Sequence, residues 1–171
     1  RLWSPRRRGR ATGHSAMPEG VGYPDLACTR LLVSPVNSRA RLLSLINRAQ
    51  AKLDLAVMYL ADDGILAAIK QRRAAGVTVR VLLADPGWVA ENRATAADLG
   101  NTGVSVRYSK TVELHAKLIL ADGIPFVGSE NMSFTSLNRN REIGLIVTEE
   151  GPAAEIMAQF EVDWADGVPA P

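Results

Sequence analysis

The sequence predicts a mixed α/β domain, a largely parallel β-sheet with helices on both faces. Three observations lead there. Between residues 29 and 108, short apolar runs of strand length alternate with segments of helical period, the rhythm of βαβ units. Gly76, Pro86-Gly87 and Gly100 fall between those segments, where helices stop and turns begin. Beyond residue 108 the rhythm changes to two strand-like runs joined by Asp122-Gly123, a strong hairpin signal.

The elements follow in order. Residues 29–34 read as a first strand. Asn37 or Ser38 caps a helix reaching about residue 52, with Leu42, Leu45, Ile46 and Ala49 on one face. Residues 53–60 form a buried strand, and Asp62 or Asp63 starts a second helix with Ile65, Leu66, Ile69 and Arg73 at helical spacing. A third strand occupies residues 77–84, a third helix 88–99 and a fourth strand 104–108. Residues 114–121 and 125–128 make the hairpin, and a short polar segment leads to a strand over 143–147. A last helix over 151–164 carries Ala154, Ile156, Met157, Phe160 and Trp164 at helical spacing.

Composition sets limits. A chain of 171 residues fits one domain, and 47% apolar with 22% charged residues excludes wholesale disorder. The single cysteine, Cys28, excludes an intrachain disulfide and a Cys-rich zinc site. No carboxylate cluster suggests a metal, so none is expected, and no cofactor is implied. The net charge of +2 hides an asymmetry. Arg1, Arg6, Arg7, Arg8 and Arg10 lie in the first ten positions, and the remainder holds 15 basic against 18 acidic residues, a net of −3. Residues 1–27 read as a flexible, Arg-rich leader, residues 28–167 as the folded domain and 168–171 as a tail. No apolar segment follows the arginines, so the leader is no signal peptide. No apolar run approaches the ~20 residues of a membrane span. The compartment stays open among cytoplasmic, peripheral membrane and exported. Lacking an initiator Met, the chain reads as a processed product or the end of a longer one.

One segment carries chemistry. In Leu114-His115-Ala116-Lys117-Leu118-Ile119-Leu120, alternation puts Leu114, Ala116, Leu118 and Leu120 on one strand face and His115 with Lys117 on the other. Singly, His115 passes for a structural histidine, Lys117 for a solvated lysine, Asp122 for a turn residue and Asn131 for a helix cap. Together, an imidazole and an ammonium side by side on a buried strand suit a phosphate diester better than burial alone.

Here the sequence resembles the phospholipase D superfamily, whose motif is His-x-Lys, four residues, Asp, about six residues, then Gly-Ser-x-Asn. The chain reads His115-Ala-Lys117, four residues, Asp122, five residues, Gly128-Ser129-Glu-Asn131. The second spacer is one residue short, and the hairpin after Asp122 is where a length change is tolerated best. Ser136, Asn140 and Glu142 follow the family's extended pattern, and the likeness spans about residues 29–165.

The resemblance implies a phospholipase D-like αβα sandwich and a phosphodiesterase without a cofactor. His115 would attack phosphorus to give a phosphohistidine, Lys117 would bind the phosphate oxygens, and Ser129 and Asn131 would donate to them. Asp122 would orient the histidine, while Gly128, Ser136, Asn140 and Glu142 would support the site. The family uses two such motifs, the second supplying a general acid. His14, the other histidine, has no Lys two residues on, so the second motif is expected from a homodimer partner or from the missing half of a longer bacterial chain. The favoured substrate is a phospholipid, hydrolysed to phosphatidic acid, because the body's net −3 does not suit a nucleic-acid backbone. A nuclease using the Arg-rich leader and a non-catalytic half with an interface role are the alternatives.

Overall fold

The computed structural model describes residues 30–171. Its elements are β1 (Leu31–Ser34), α1 (Ser38–Arg48), β2 (Lys52–Val57), α2 (Asp63–Ala74), β3 (Thr78–Ala84), α3 (Asn92–Gly100) and β4 (Ser105–Ser109). There follow β5 (Lys117–Ala121), β6 (Ile124–Gly128), α4 (Phe134–Asn138), β7 (Glu142–Ile146), α5 (Glu150–Asp166) and β8 (Val168–Pro169). The expected leader and His14 lie outside the described residues.

The strands form one sheet in the order β1-β7-β6-β5-β2-β3-β4-β8. The mixed, helix-flanked sheet is as the sequence predicts, but its parallel share is smaller. Only β2–β3 and β3–β4 are parallel, while β1–β7, β2–β5, β4–β8, β5–β6 and β6–β7 are antiparallel. The reason is connection length. After β4 the chain has no further crossover helix before β5, and hairpins can only reverse direction. The four terminal residues are not simply a tail, since Val168 and Pro169 pair with Tyr108 and Arg107, and Ala170 N–H donates to the Val106 carbonyl.

Both faces of the sheet are covered. Leu42 and Ile46 of α1, Ile65 and Ile69 of α2 and Leu99 of α3 pack on Leu53, Leu55, Val79 and Val81. On the opposite face Phe160 of α5 meets Ala56, Leu82, Leu118 and Leu120. Central strands buried from both sides need apolar residues at successive positions, which is why β5 is buried throughout. Helix ends follow local chemistry. Asp62 caps α2 by accepting from Ile65 N–H at 3.0 Å. The third helix begins at Asn92 rather than 88, because the Asp85 carboxylate accepts from Gly87 N–H and its carbonyl from Trp88 and Val89 N–H. Those bonds commit residues 85–89 to a turn.

One polar network fastens α5. Arg80 forks onto the buried Asp54 at 2.7 and 2.8 Å and donates to Glu161 at 2.7 and 2.9 Å. Its guanidinium also lies 4.9 Å from the Phe160 ring centre and 5.1 Å from that of Trp164. Arg80 and then Lys52 hold the Glu161 carboxyl down at about 2, against 4.5 for an ordinary glutamate. A depressed carboxylate stabilises the fold above its unfolded value, and that contribution fades as pH falls through the folded one. Glu161→Gln should therefore lower thermal stability at neutral pH, with the difference from the parent chain shrinking below pH 4.5 and vanishing near pH 2. A gap that persists at the acid end would contradict the assignment.

Candidate active site

The site gathers where the chain leaves β2 and β3 and enters β5. The outer ends of adjacent parallel strands are where α/β sheets build their sites. Lys117 is the first residue of β5, opposite Val57, and is only 5% exposed. The strand begins three residues later than its apolar alternation predicts, so Leu114, His115 and Ala116 precede it, the last two exposed. Ala116 carbonyl accepts from Met58 N–H at 3.0 Å, and the chain then releases His115 to the surface.

His115 and Lys117 are side by side, as expected. The Lys117 Nζ lies 2.9 Å from His115 Nδ1 and 3.4 Å from Nε2, and it donates to the His115 carbonyl at 2.8 Å. Met58 Sδ is 3.8 Å from the same Nζ. Burial pushes the Lys117 ammonium below its ordinary value, and the charge of Glu142 restores only part. The Trp88 ring stands 6.1 Å from the imidazole, tilted by 34°.

A second group lies on β7 and the segment after β6. Ser129 donates to Glu142 Oε2 at 2.6 Å, Ser136 to Oε1 at 3.0 Å and Asn140 Nδ2 to Oε1 at 3.2 Å. Burial raises the Glu142 carboxyl, but the hydrogen bonds from Ser129, Asn140 and Ser136 and the Lys117 charge outweigh it and hold it ionised below the usual range. Ser129 Oγ also accepts from Ile143 N–H at 3.1 Å. The hydroxyl proton of Ser129 is thus directed at Glu142, not outward toward a phosphate. Asn131 is half-buried, with a side-chain oxygen out of solvent and without a hydrogen-bond partner. The Ser129-to-Met132 turn is fastened to the end of β2, where the Met132 carbonyl accepts from Ala61 and Asp62 N–H at 2.7 and 2.8 Å.

Asp122 stands apart from this group. It sits at the other end of β5, about 17 Å of strand from Lys117 at the usual rise per residue. Its carboxylate accepts from the backbone N–H groups of Gln50, Ala51 and Lys52 at 2.7, 2.9 and 2.8 Å, and those bonds, that from Lys52 foremost, lower its pKa against the opposing effect of burial. It holds the α1–β2 connection and does not orient His115. At φ 49° it begins a two-residue turn with Gly123 at φ 84°. That tight turn absorbs the short spacer. Leu118 still faces Val127, so Gly128 reaches the level of Lys117 and Ser129 stays beside Ile143. Asp122→Ala should cost about 1–3 kcal/mol of stability from the lost charge-assisted bonds, read by urea unfolding, with Asp122→Asn milder because Asn tolerates positive φ. Turnover per folded molecule should change little; a collapse in turnover by folded Asp122→Asn would restore a role at the histidine.

Three residues of the site were not singled out by the sequence. Trp88 and Met58 follow the strands that end at this edge, a positional signal available once β2 and β3 are placed. Glu130, fully buried, sits inside the Gly-Ser-x-Asn run at the position the motif leaves unspecified.

Known proteins resemble this chain in sequence and in fold. The family model described as "Cardiolipin synthase, PLD-like domain" matches residues 42–164. The chain is 30% identical to the mitochondrial cardiolipin hydrolase of Xenopus tropicalis over 154 residues, covering 89% of this chain and 73% of that protein. It is 28% identical to cardiolipin synthase A of Yersinia pseudotuberculosis over 163 residues, 90% of this chain but only 31% of the synthase. Among solved structures, Nuc of Salmonella typhimurium, a phospholipase D family member, superposes with a TM-score of 0.74 at 20% identity over 82% of this chain and 96% of that one. NucT of Helicobacter pylori gives 0.72 at 21% identity, over 81% and 96%.

Proposed function

We propose, from the premise that this chain belongs to the family of phospholipase D-like phosphodiesterase domains, that it hydrolyses a phospholipid diester to phosphatidic acid and the free head group. The observation that carries the reading is the buried Lys117 ammonium held against an exposed His115. A lysine taken out of water needs an anionic partner, and here its outward face meets the one imidazole among the described residues. A phosphoryl oxygen entering between them would take over the ammonium's donor bond and leave a ring-nitrogen lone pair facing phosphorus. The N–P bond forms as the P–O bond to the head group breaks, and the leaving oxygen takes a proton from a general acid. Water then attacks phosphorus, the N–P bond breaks, and phosphatidic acid leaves. Two easier displacements replace one difficult one, with the fixed charge of Lys117 facing the developing negative charge.

The general acid comes from a second His-x-Lys motif, in a partner copy or in further chain. The Glu142 cluster supports the site from below, its anion offsetting part of the desolvation of Lys117. A cavity of ≈ 380 Å³ beside Trp88, lined also by Asp85, Gly87, Lys110 and Glu113, is where a head group would lie. Among the described residues no helix is long and apolar enough to cross a membrane.

The test offers phosphatidylcholine vesicles and single-stranded DNA to the chain and to His115→Asn. Phosphatidic acid release that depends on His115 is the expected result. DNA cleavage without lipid turnover would overturn the lipid reading in favour of a nuclease, the alternative that gives Arg1, Arg6, Arg7, Arg8 and Arg10 a role. Turnover of neither, by a chain that sediments as a monomer, would leave a non-catalytic half. Acid quench of a slow substrate should trap phosphorus on His115.

A further inference from the structure

Glu130 is a charged residue type with no solvent exposure, and neither the fold nor the chemistry above uses it. Its Oε1 accepts from Ser38 Oγ at 2.9 Å, and Ser38 opens α1. Its Oε2 is buried without a hydrogen-bond partner. The carboxyl occupies space that two glycines leave free. A Cβ on Gly128 would collide with Glu130 Oε2, and one on Gly144 would meet the same oxygen at 2.7 Å. Gly128 and Gly144 face each other on β6 and β7, so the sheet is stripped of side chains where the carboxyl lies. Glu130 also stands between Ser129, which donates to Glu142, and the half-buried Asn131.

We propose that Glu130 is a positioning residue of the phosphodiesterase site, a neutral carboxylic acid that keys the Ser129–Asn131 backbone onto α1 and so fixes Ser129 against Glu142. This rests on the phosphodiester reading above. Neutrality follows from the surroundings. An anion with one oxygen unpaired among the Phe126 ring and two glycines would be costly. Burial raises the Glu130 carboxyl and the ionised Glu142 adds to it; bonds from its own backbone N–H, from Ser38 and from the Ser129 N–H oppose them, and the balance is upward. Among the described residues none of the ion pairs involves Glu130. Lys117 on β5 is turned to His115, and Arg39 beside Ser38 is paired with Asp62 at 2.9 Å. One short segment therefore separates a neutral carboxyl from an ionised one, and environments that push two carboxyls apart in this way assign them different duties.

The test compares Glu130→Gln, Glu130→Ala and Ser38→Ala by three readouts. With bis(p-nitrophenyl) phosphate as substrate, Glu130→Gln should keep kcat near the parent value. Glu130→Ala should lose about a hundredfold in kcat with KM little changed, the effect expected when supporting groups shift the reacting atoms. Backbone hydrogen exchange in the absence of substrate should quicken at residues 129–132 in Glu130→Ala, and less so in Ser38→Ala, while β2 and β3 keep their protection. This readout stands even if no diester is turned over, which separates failure of the inference from failure of the functional reading. The infrared band of a protonated carboxyl should be present at neutral pH and missing in Glu130→Gln. Should Glu130→Ala fail to fold, Ser38→Ala carries the exchange measurement alone. Unchanged exchange at 129–132 in Ser38→Ala and Glu130→Ala would overturn the proposal, as would a Glu130→Gln as impaired as Glu130→Ala or a missing protonated band.

Discussion

Replacing His115 with asparagine is expected to reduce phosphodiester turnover by at least about a thousandfold, the scale on which removal of a covalent nucleophile is felt. The fold should be untouched, because His115 is exposed, with its ring beside Trp88 and the Lys117 ammonium. The thermal transition should therefore stay within a degree or two of the parent's. Lys117→Met should be nearly as damaging to turnover but should not lower stability, since a buried ammonium is exchanged for a chain of similar length that needs no partner. The two variants separate the site's members by their side effects. If either retains more than about a tenth of parental kcat/KM, a deficit of only about 1.4 kcal/mol, the His115–Lys117 pair is not the reacting centre.

The largest effect on stability is expected at Phe126. Its ring is fully buried between the sheet and α1, and it reaches over the two facing glycines, with Cζ at 2.8 Å from where a Gly128 Cβ would stand. Phe126→Ala should cost about 3–5 kcal/mol, the usual range for emptying such a site, and much of a domain's stability is of that order. The loss should also reach the chemistry, because Glu130 shares the emptied space with the ring. Denaturant unfolding measures the first effect, and hydrogen exchange at residues 129–132 the second. Phe126→Leu, which keeps most of the volume, should recover the larger part of both. Equal losses in the two variants would show that ring shape rather than filled volume matters there.

How much of this was legible in the sequence depends on the range of the signal. The Asp122-Gly123 hairpin could be read from two residues, because only a few residue types accept positive φ at that turn. The pairing of His115 with Lys117 was legible from strand alternation, while Ser129, Ser136, Asn140 and Glu142 came only from the family resemblance; the fold brings these four together. The sheet's direction was not. Strand-length apolar runs look alike whether their neighbours run parallel or antiparallel, and β5 and β6 insert beside β2 instead of following β4. The role of Asp122 was misread for a related reason. The family resemblance implied service to the histidine, yet one strand's length carries Asp122 to the opposite end of the sheet. Glu130 was invisible because a glutamate in a polar loop is usually solvated, and only the placement of Gly128 beside Gly144 shows that space had been cleared for it.

The two residues of β8 bear on how the molecule keeps to itself. A sheet whose outermost strand presents free amides invites strand addition from a neighbour. Here the rim beside β4 is closed by Val168 and Pro169, and a proline has no N–H to offer an incoming chain. Cutting back to residue 167 would expose β4 to strand exchange, so the shortened chain should form larger assemblies than the intact one at equal concentration.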